Sequence, residues 1–196
     1  MKTPGQEPLV SVVTPFYNTG EYLAECIESV LAQSYRNWEY ILVNNRSTDK
    51  SLEIANNYAA KDVRARVYTN ETFLTQVQNY NHALSLIAPE SKYCKIVQAD
   101  DWIFPQCLTE MVEVAEAHPS TGIIGACRLD DRTVNCDGLP YRSTFVPGRD
   151  ICRLSLLRKC FVFGSPTSIM FRSDIVRGRE PFYGESSYHE DTEACY

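Results

Sequence analysis

Short apolar, β-branched runs alternate with helical patterns through most of this chain, and that alternation is what most restricts its fold. "LVSVVTP" is the first such run, closed by Pro15. "EYLAECIESVLAQ" follows, with Leu23, Ile27, Val30 and Leu31 on one helical face and Thr19 placed to cap it. "WEYILV" is a second strand. The polar loop "NNRSTD" then leads into "KSLEIANNYAA", where Ser47 and Asp49 are capping residues and Leu52, Ala55, Tyr58 and Ala59 share a face. A weaker strand, "RARVYT", precedes Val77, Tyr80, Leu84 and Ile87, spaced as a packed helix requires. "YCKIVQ" is a fourth strand, Leu108, Met111, Val112 and Ala115 mark a helix that stops before Pro119, and "TGIIGA" is a fifth strand. Helical crossovers of this kind join parallel strands, so the expected class is α/β, a mainly parallel sheet flanked by helices on both faces.

Ligands of such sheets bind beyond the carboxyl ends of the strands. Three polar clusters fall there: Thr14 to Asn18, Asn44 to Ser47, and Gln98 to Asp101. The third closes the stretch "YCKIVQADDWIFP", where Asp100 and Asp101 end a strand that should be buried. Adjacent carboxylates repel each other and need water or a cation. A hard divalent ion such as Mg²⁺ or Mn²⁺ suits them, because it takes one or two protein carboxylates and fills its shell with water and phosphate oxygens. The plainer alternative is a pair of acidic turn residues before "WIFP"; the place after the fourth strand favours the metal.

Composition narrows the partners. A net charge of −6 over 196 residues, with no Lys/Arg stripe, leaves no electrostatic footprint for nucleic acid. The eight cysteines form no CxxC pair and read as reduced thiols rather than a disulfide or zinc framework. "MKTPGQEPLV" lacks the apolar core of a secretory signal, and no run approaches the ~18 apolar residues of a membrane span. A cytoplasmic protein, or one peripheral at the inner face of a membrane, is the expectation. No GxGxxG follows the first strand and no GxxxxGK[ST] occurs, which disfavours a dinucleotide-binding oxidoreductase and a P-loop NTPase. A nucleotidyltransferase would need a Gly-rich phosphate loop near the N-terminus, and none is seen. Past Cys127, residues 128–148 read as loop or hairpin, "RDICRLSLLRK" as helix and "TSIMFR" as strand; the chain ends at "YHEDTEACY" without a closing element.

Five segments in order, "VSVVTPFYN", "YILVNNRSTDKS", "NYNHAL", "KIVQADDW" and "HEDTEACY", resemble the motifs of family 2 glycosyltransferases. The resemblance runs from Val10 to Tyr196. It implies a GT-A fold with a Rossmann-like nucleotide-binding half at about 8–127 and an acceptor-side half at about 128–196, together one domain over 1–196 that is cut short at its C-terminus. It also implies an inverting transfer from a nucleotide-diphospho-sugar, a UDP-sugar first, to a saccharide, lipid-linked or other hydroxyl acceptor, with Mn²⁺ or Mg²⁺, as in polysaccharide biosynthesis. By the same resemblance Thr14, Pro15 and Tyr17 line the nucleotide pocket, and Asn45 takes an acidic position that commonly contacts the base. Asp100 lies against ribose and sugar, Asp101 ligates the metal, and Asp191 is the catalytic base with Glu190 beside it.

Two departures stand out. "NNRS" replaces the common "DDGS", so a charged base contact becomes an amide, which can accept from a pyrimidine N–H and donate to a carbonyl. Gln98 stands where many members carry a further Asp. Asp191 also has a plain reading as an acidic helix N-terminus. Asn79 and Asn81 either reach the nucleotide from a helix start or lie on a solvated face. Phe163 to Ser168 either shapes the sugar or acceptor side or is a simple loop. His82, His118 and His189 read as ordinary polar or surface histidines. The competing function is a non-catalytic nucleotide-sugar-binding domain or an inactive fragment.

Overall fold

The computed structural model describes residues 7–135, 145–157, 162–185 and 190–195, the side chains of Glu190 and Asp191 excepted. The first half alternates as the periodicity predicts: β1 (Val10–Phe16), α1 (Leu23–Leu31), β2 (Trp38–Asn44), α2 (Ser51–Ala59), β3 (Ala65–Thr69), α3 (Gln76–Ser85), β4 (Tyr93–Ile96), α4 (Cys107–Ala117) and β5 (Ile123–Gly125). A small hairpin, β6 (Arg128–Asp130) and β7 (Thr133–Asn135), then precedes α5 (Gly148–Leu156), β8 (Ile169–Arg172), α6 (Ser173–Arg177) and α7 (Glu190–Glu193).

The main sheet has the strand order β3-β2-β1-β4-β8-β5. β3, β2, β1 and β4 are parallel. The fifth strand does not extend that series directly: β8, from far along the chain, sits between β4 and β5 and runs antiparallel to both. β1 also passes through Pro15 rather than stopping there, since Pro15 pairs with Val43 of β2. β4 has left the ladder at Val13, so on that side nothing needs the N–H that proline lacks.

Alternating side chains on the strands feed two cores. Val10, Val12, Phe16, Tyr40, Leu42, Tyr93 and Val97 meet the buried stripes of α1 (Leu23, Cys26, Ile27, Val30) and α4 (Leu108, Met111, Val112, Ala115). Val13, Ile41, Val43, Cys94 and Ile96 pack on the other face against Ala83 and Leu84 of α3, Val176 of α6, and Phe182. At roughly 1.5–3 kcal/mol for each fully buried aliphatic side chain, these stripes fix the helices to the sheet.

The helix starts differ from expectation for a local reason. α1 begins after Tyr22 and α2 after Lys50, neither with a side-chain cap. The polar residues before them lace two loops together instead. Ser47 Oγ accepts the Asn18 N–H, Ser51 Oγ accepts the Thr19 N–H, and Asp49 accepts from Gly20 and Ser51. Among the described residues only α3 has a capping box, in which Thr75 accepts from the Gln78 N–H and the Gln78 side chain accepts from the Thr75 N–H.

Candidate active site

The chain leaves β4 at the carboxyl edge of the sheet and turns at once: the Asp101 N–H donates to the Gln98 carbonyl at 3.0 Å. The turn is held from three sides. The Thr14 hydroxyl donates to the Val97 carbonyl at 2.7 Å. Cys26 Sγ donates to the Gln98 carbonyl at 3.4 Å. Thr167 Oγ1, in the short turn of 3₁₀ helix at Pro166–Ser168, accepts the Gln98 N–H at 3.0 Å. Lys95, fully buried, donates its ammonium to the carbonyls of Thr167 and Ile169. Burial pushes the Lys95 pKa down, partly offset by nearby groups that include Asp101. The segment from Phe163 to Ser168 is therefore anchored to the turn that carries Asp100 and Asp101.

In front of this turn lies an open cavity of about 340 Å³. Pro15, Phe16, Tyr17 and Thr19 line it from the end of β1, Asn45 from the end of β2, and Gln98, Ala99 and Asp100 from the turn. Phe73 to Gln76, with Asn79 and Tyr80, close it from the loop after β3 and the first turns of α3. Tyr17 and Phe73 meet edge to face at 4.9 Å while 44% and 60% exposed, which leaves a stacking surface at the rim. Burial pushes the Tyr80 hydroxyl up to about 12, partly countered by hydrogen bonds with Gln98 and Gln76, so Tyr80 stays neutral at physiological pH.

The residues singled out from the sequence fall into three groups. Pro15, Tyr17, Asn45, Asn79, Gln98 and Asp100 line the cavity. Asp101 is half-buried just past it. Thr14 does not line it: the side chain points from β1 into the core, because Thr14 shares a strand face with Val12 and Phe16. Its one hydroxyl proton goes to Val97, so the Tyr40 hydroxyl, 2.9 Å away, is the donor between those two. Glu190 and Asp191 begin α7, and their side chains lie outside the described residues, as does His189.

That helix is docked through its last residue. Arg179 donates to the Glu193 carboxylate at 2.6 Å, and that carboxylate lies close over Gly184, where an added Cβ would sit 2.8 Å from Glu193 Oε2 and turn the flexible side chain aside. Asn81 holds the preceding segment by bonding both the N–H and the carbonyl of Tyr183. Of the two asparagines at the start of α3, Asn79 thus faces the cavity and Asn81 anchors the chain leading to α7. Among the described residues no three His, Cys, Asp or Glu side chains gather as a metal cluster. Two carboxylates on one turn still fit a cation whose remaining ligands are phosphate oxygens of a substrate.

Sequence reasoning does not reach Tyr80, Phe73, Asn70 or His82. Tyr80 shows only helical periodicity. Asn70 and His82 form a contact network behind the cavity that depends on tertiary placement, with His82 Nδ1 2.8 Å from Asn70 Oδ1. The Thr75–Gln78 capping box is the one signal in the sequence that would have placed this end of α3.

The mainly parallel sheet, with an acidic turn and a cavity at its carboxyl edge, fits the GT-A class of glycosyltransferase folds. Solved structures agree on that fold. S. aureus TarS in complex with UDP superposes with a TM-score of 0.73 at 22% identity, covering 95% of this chain and 53% of that one. PcManGT, a mannosyltransferase from Pyrobaculum calidifontis in complex with GDP-Man and Mn²⁺, gives 0.69 at 16% identity, covering 97% and 52%. Residues 11–178 match glycosyl transferase family 2, and the chain belongs to that family. Among curated relatives, the glycosyltransferase GlyG of Streptococcus pneumoniae is 36% identical over 144 residues, 74% of this chain and 46% of GlyG. The putative glycosyltransferase EpsE of Bacillus subtilis is 40% identical over 123 residues, 62% of this chain and 44% of EpsE. The chain spans about half the length of these relatives. No helix among the described residues is long and apolar enough to cross a membrane.

Proposed function

We propose that this chain binds a nucleotide-diphospho-sugar, a UDP-sugar, in the cavity and transfers the sugar with inversion to an acceptor hydroxyl. The observation that carries this is the convergence on one cavity of an aromatic rim (Tyr17, Phe73), amide side chains (Asn45, Asn79) and a carboxylate (Asp100), next to a second carboxylate, Asp101. An aromatic and amide end suits a base, and an acidic end suits a diphosphate bridged by a cation. A divalent ion, Mn²⁺ or Mg²⁺, would neutralise the leaving diphosphate. Asp101, with Asp100 beside it, would supply the protein ligands. Asp191 would take the proton of the acceptor hydroxyl as the new glycosidic bond forms and the bond from the anomeric carbon to the diphosphate breaks. The UDP and UDP-GlcNAc complexes of TarS and the Mn²⁺ complex of PcManGT are in keeping with this reading.

Calorimetry with UDP-sugars, with and without Mn²⁺, tests it. Binding should require the ion and be lost in Asp101→Ala. Asp191→Asn should keep binding and abolish transfer to acceptor. Metal-dependent UDP binding that survives Asp101→Ala would refute the metal assignment. Donor binding without transfer under any acceptor would favour a nucleotide-sugar-binding domain instead.

A further inference from the structure

Charge and exposed apolar surface are unevenly spread along this chain, and both gather past β5. Residues 128–160 hold seven Lys/Arg and four Asp/Glu, a net of +3, whereas the rest of the chain, with twelve and twenty-one, sums to −9. Among the described residues, five of the twelve exposed large apolar side chains also fall there: Leu129, Val134, Phe145, Leu156 and Leu157. A basic, apolar stretch in an otherwise acidic chain has the composition of a surface that meets an anionic and partly apolar partner.

Helix α5 brings both features onto one face. At 3.6 residues per turn, Arg149, Arg153 and Leu156 fall on one side of it, with Leu157 beside them at the C-cap, and all four are exposed. Leu156 is 77% exposed and Leu157 54%. The opposite side carries Ile151, which is buried, and Leu154, which is half-buried. Packing against the protein is therefore met without the two outer leucines. The outward face of a solvated helix is normally polar, and here it mixes leucine with arginine. The ion pairs among the described residues involve neither Arg149 nor Arg153. Asp150, the one acid in the helix, sits in its first turn, where the helix dipole favours it.

We infer that this face of α5 docks on an anionic lipid bilayer. Leu156 and Leu157 enter the boundary between headgroups and acyl chains, while the arginines lay their stems along it and reach lipid phosphates. A second copy of the chain suits the face less, because a symmetric contact would gather the arginines of both copies into one buried patch. A nucleic-acid backbone would match the arginines and leave the leucines in water. The chain runs on from Leu157 to Thr167, the brace of the acidic turn, so the bilayer would lie a short length of chain from the proposed transfer site. The inference stands on α5 and does not rest on the nucleotide reading.

The test is co-sedimentation of the whole chain with vesicles of phosphatidylcholine, alone or mixed with phosphatidylglycerol, at low and high salt. Mixed vesicles should bind at least about tenfold more strongly than neutral ones, and binding should fall as salt rises. Arg149→Glu with Arg153→Glu should weaken binding to mixed vesicles at least about tenfold. Leu156→Ser with Leu157→Ser should weaken it several-fold at both salt concentrations. All four side chains are exposed, so each pair should keep the wild-type melting temperature and UDP affinity. Should a variant melt early, the wild-type lipid and salt arms decide. Equal binding to both vesicle types, binding to neither, or wild-type binding by either folded variant overturns the inference. Dimers seen by sedimentation velocity, abolished by the leucine pair while vesicles stay unbound, would assign the face to a second copy instead. Failure of the wild-type chain to bind UDP refutes the nucleotide reading and leaves the docking face untouched.

Discussion

Replacing Thr14 with valine removes one hydroxyl at nearly constant shape and separates a fold role from a ligand role. The hydroxyl donates to the Val97 carbonyl at 2.7 Å and accepts from Tyr40 at 2.9 Å, and Thr14 and Tyr40 are both fully buried. Valine leaves the Val97 carbonyl and the Tyr40 hydroxyl without these partners, at about 1–3 kcal/mol each. A buried methyl returns about 0.8 kcal/mol. The net loss is about 1–5 kcal/mol, a sizeable part of the roughly 5–15 kcal/mol that holds a domain together. Urea unfolding followed by tryptophan fluorescence should show a lower midpoint at unchanged slope. Tyr40→Phe alone should cost about 1 kcal/mol. The double variant should be no less stable than Thr14→Val, because deleting the tyrosine hydroxyl removes the orphan that valine created, a coupling of about 1–2 kcal/mol. UDP affinity, measured well below the midpoint, should fall by less than about tenfold, since the side chain lies outside the cavity and the Cys26 and Thr167 bonds still hold the turn. Stability within about 0.5 kcal/mol of wild type, strict additivity of the two changes, or a tenfold loss of UDP affinity in a stable protein would refute the reasoning.

Two further outcomes follow from buried groups. Burial pushes Cys26 and Cys94 up to about 12, so the reactive thiolate is scarce at pH 8–9, and native protein should resist iodoacetamide at both sites until urea exposes them, as read by peptide mass mapping. Because the thiolate fraction rises with pH, labelling of native protein should climb only toward strongly alkaline conditions; fast labelling at pH 8 would contradict the burial. Lys95→Met should lower stability by about 1–3 kcal/mol, since the loss of a donor to two carbonyls outweighs the relief of burying a charge. It should also weaken Mn²⁺-dependent UDP binding, because the Thr167 segment braces the Gln98–Asp101 turn; unchanged stability and binding would show that the brace is idle.

Local pattern exposes much of this architecture before any coordinates. Ile27, Val30, Leu108, Met111 and Ala115 repeat at helical spacing, and Asn45 and Asp100, just past the ends of β2 and β4, mark the edge where ligands collect. β8 is different: its neighbour β4 lies far away in sequence, and no periodicity records which distant strand will pair with which. Thr14 shows how a motif and a strand period can disagree. The motif assigns it to the pocket lining, while alternation with Val12 and Phe16 turns its side chain inward. The Asn45–Asn70–Asn79–His82 network cannot be read locally, because each member is an ordinary polar residue until the sheet brings them together. Asp49 and Ser47 look like helix caps and instead tie one loop to another, a choice settled by tertiary contact over local preference.

The insertion of β8 also sets a timetable. Lys95 and one of its acceptors, the Ile169 carbonyl, are 74 residues apart. At about 5–20 residues per second of synthesis, β4 waits roughly 4–15 s for its second neighbour. During that interval it is a bare edge that could template pairing with other chains, and an ammonium group on the edge is a common guard against such pairing. On this account one lysine would guard the growing chain and then serve as a buried strut once β8 is in place.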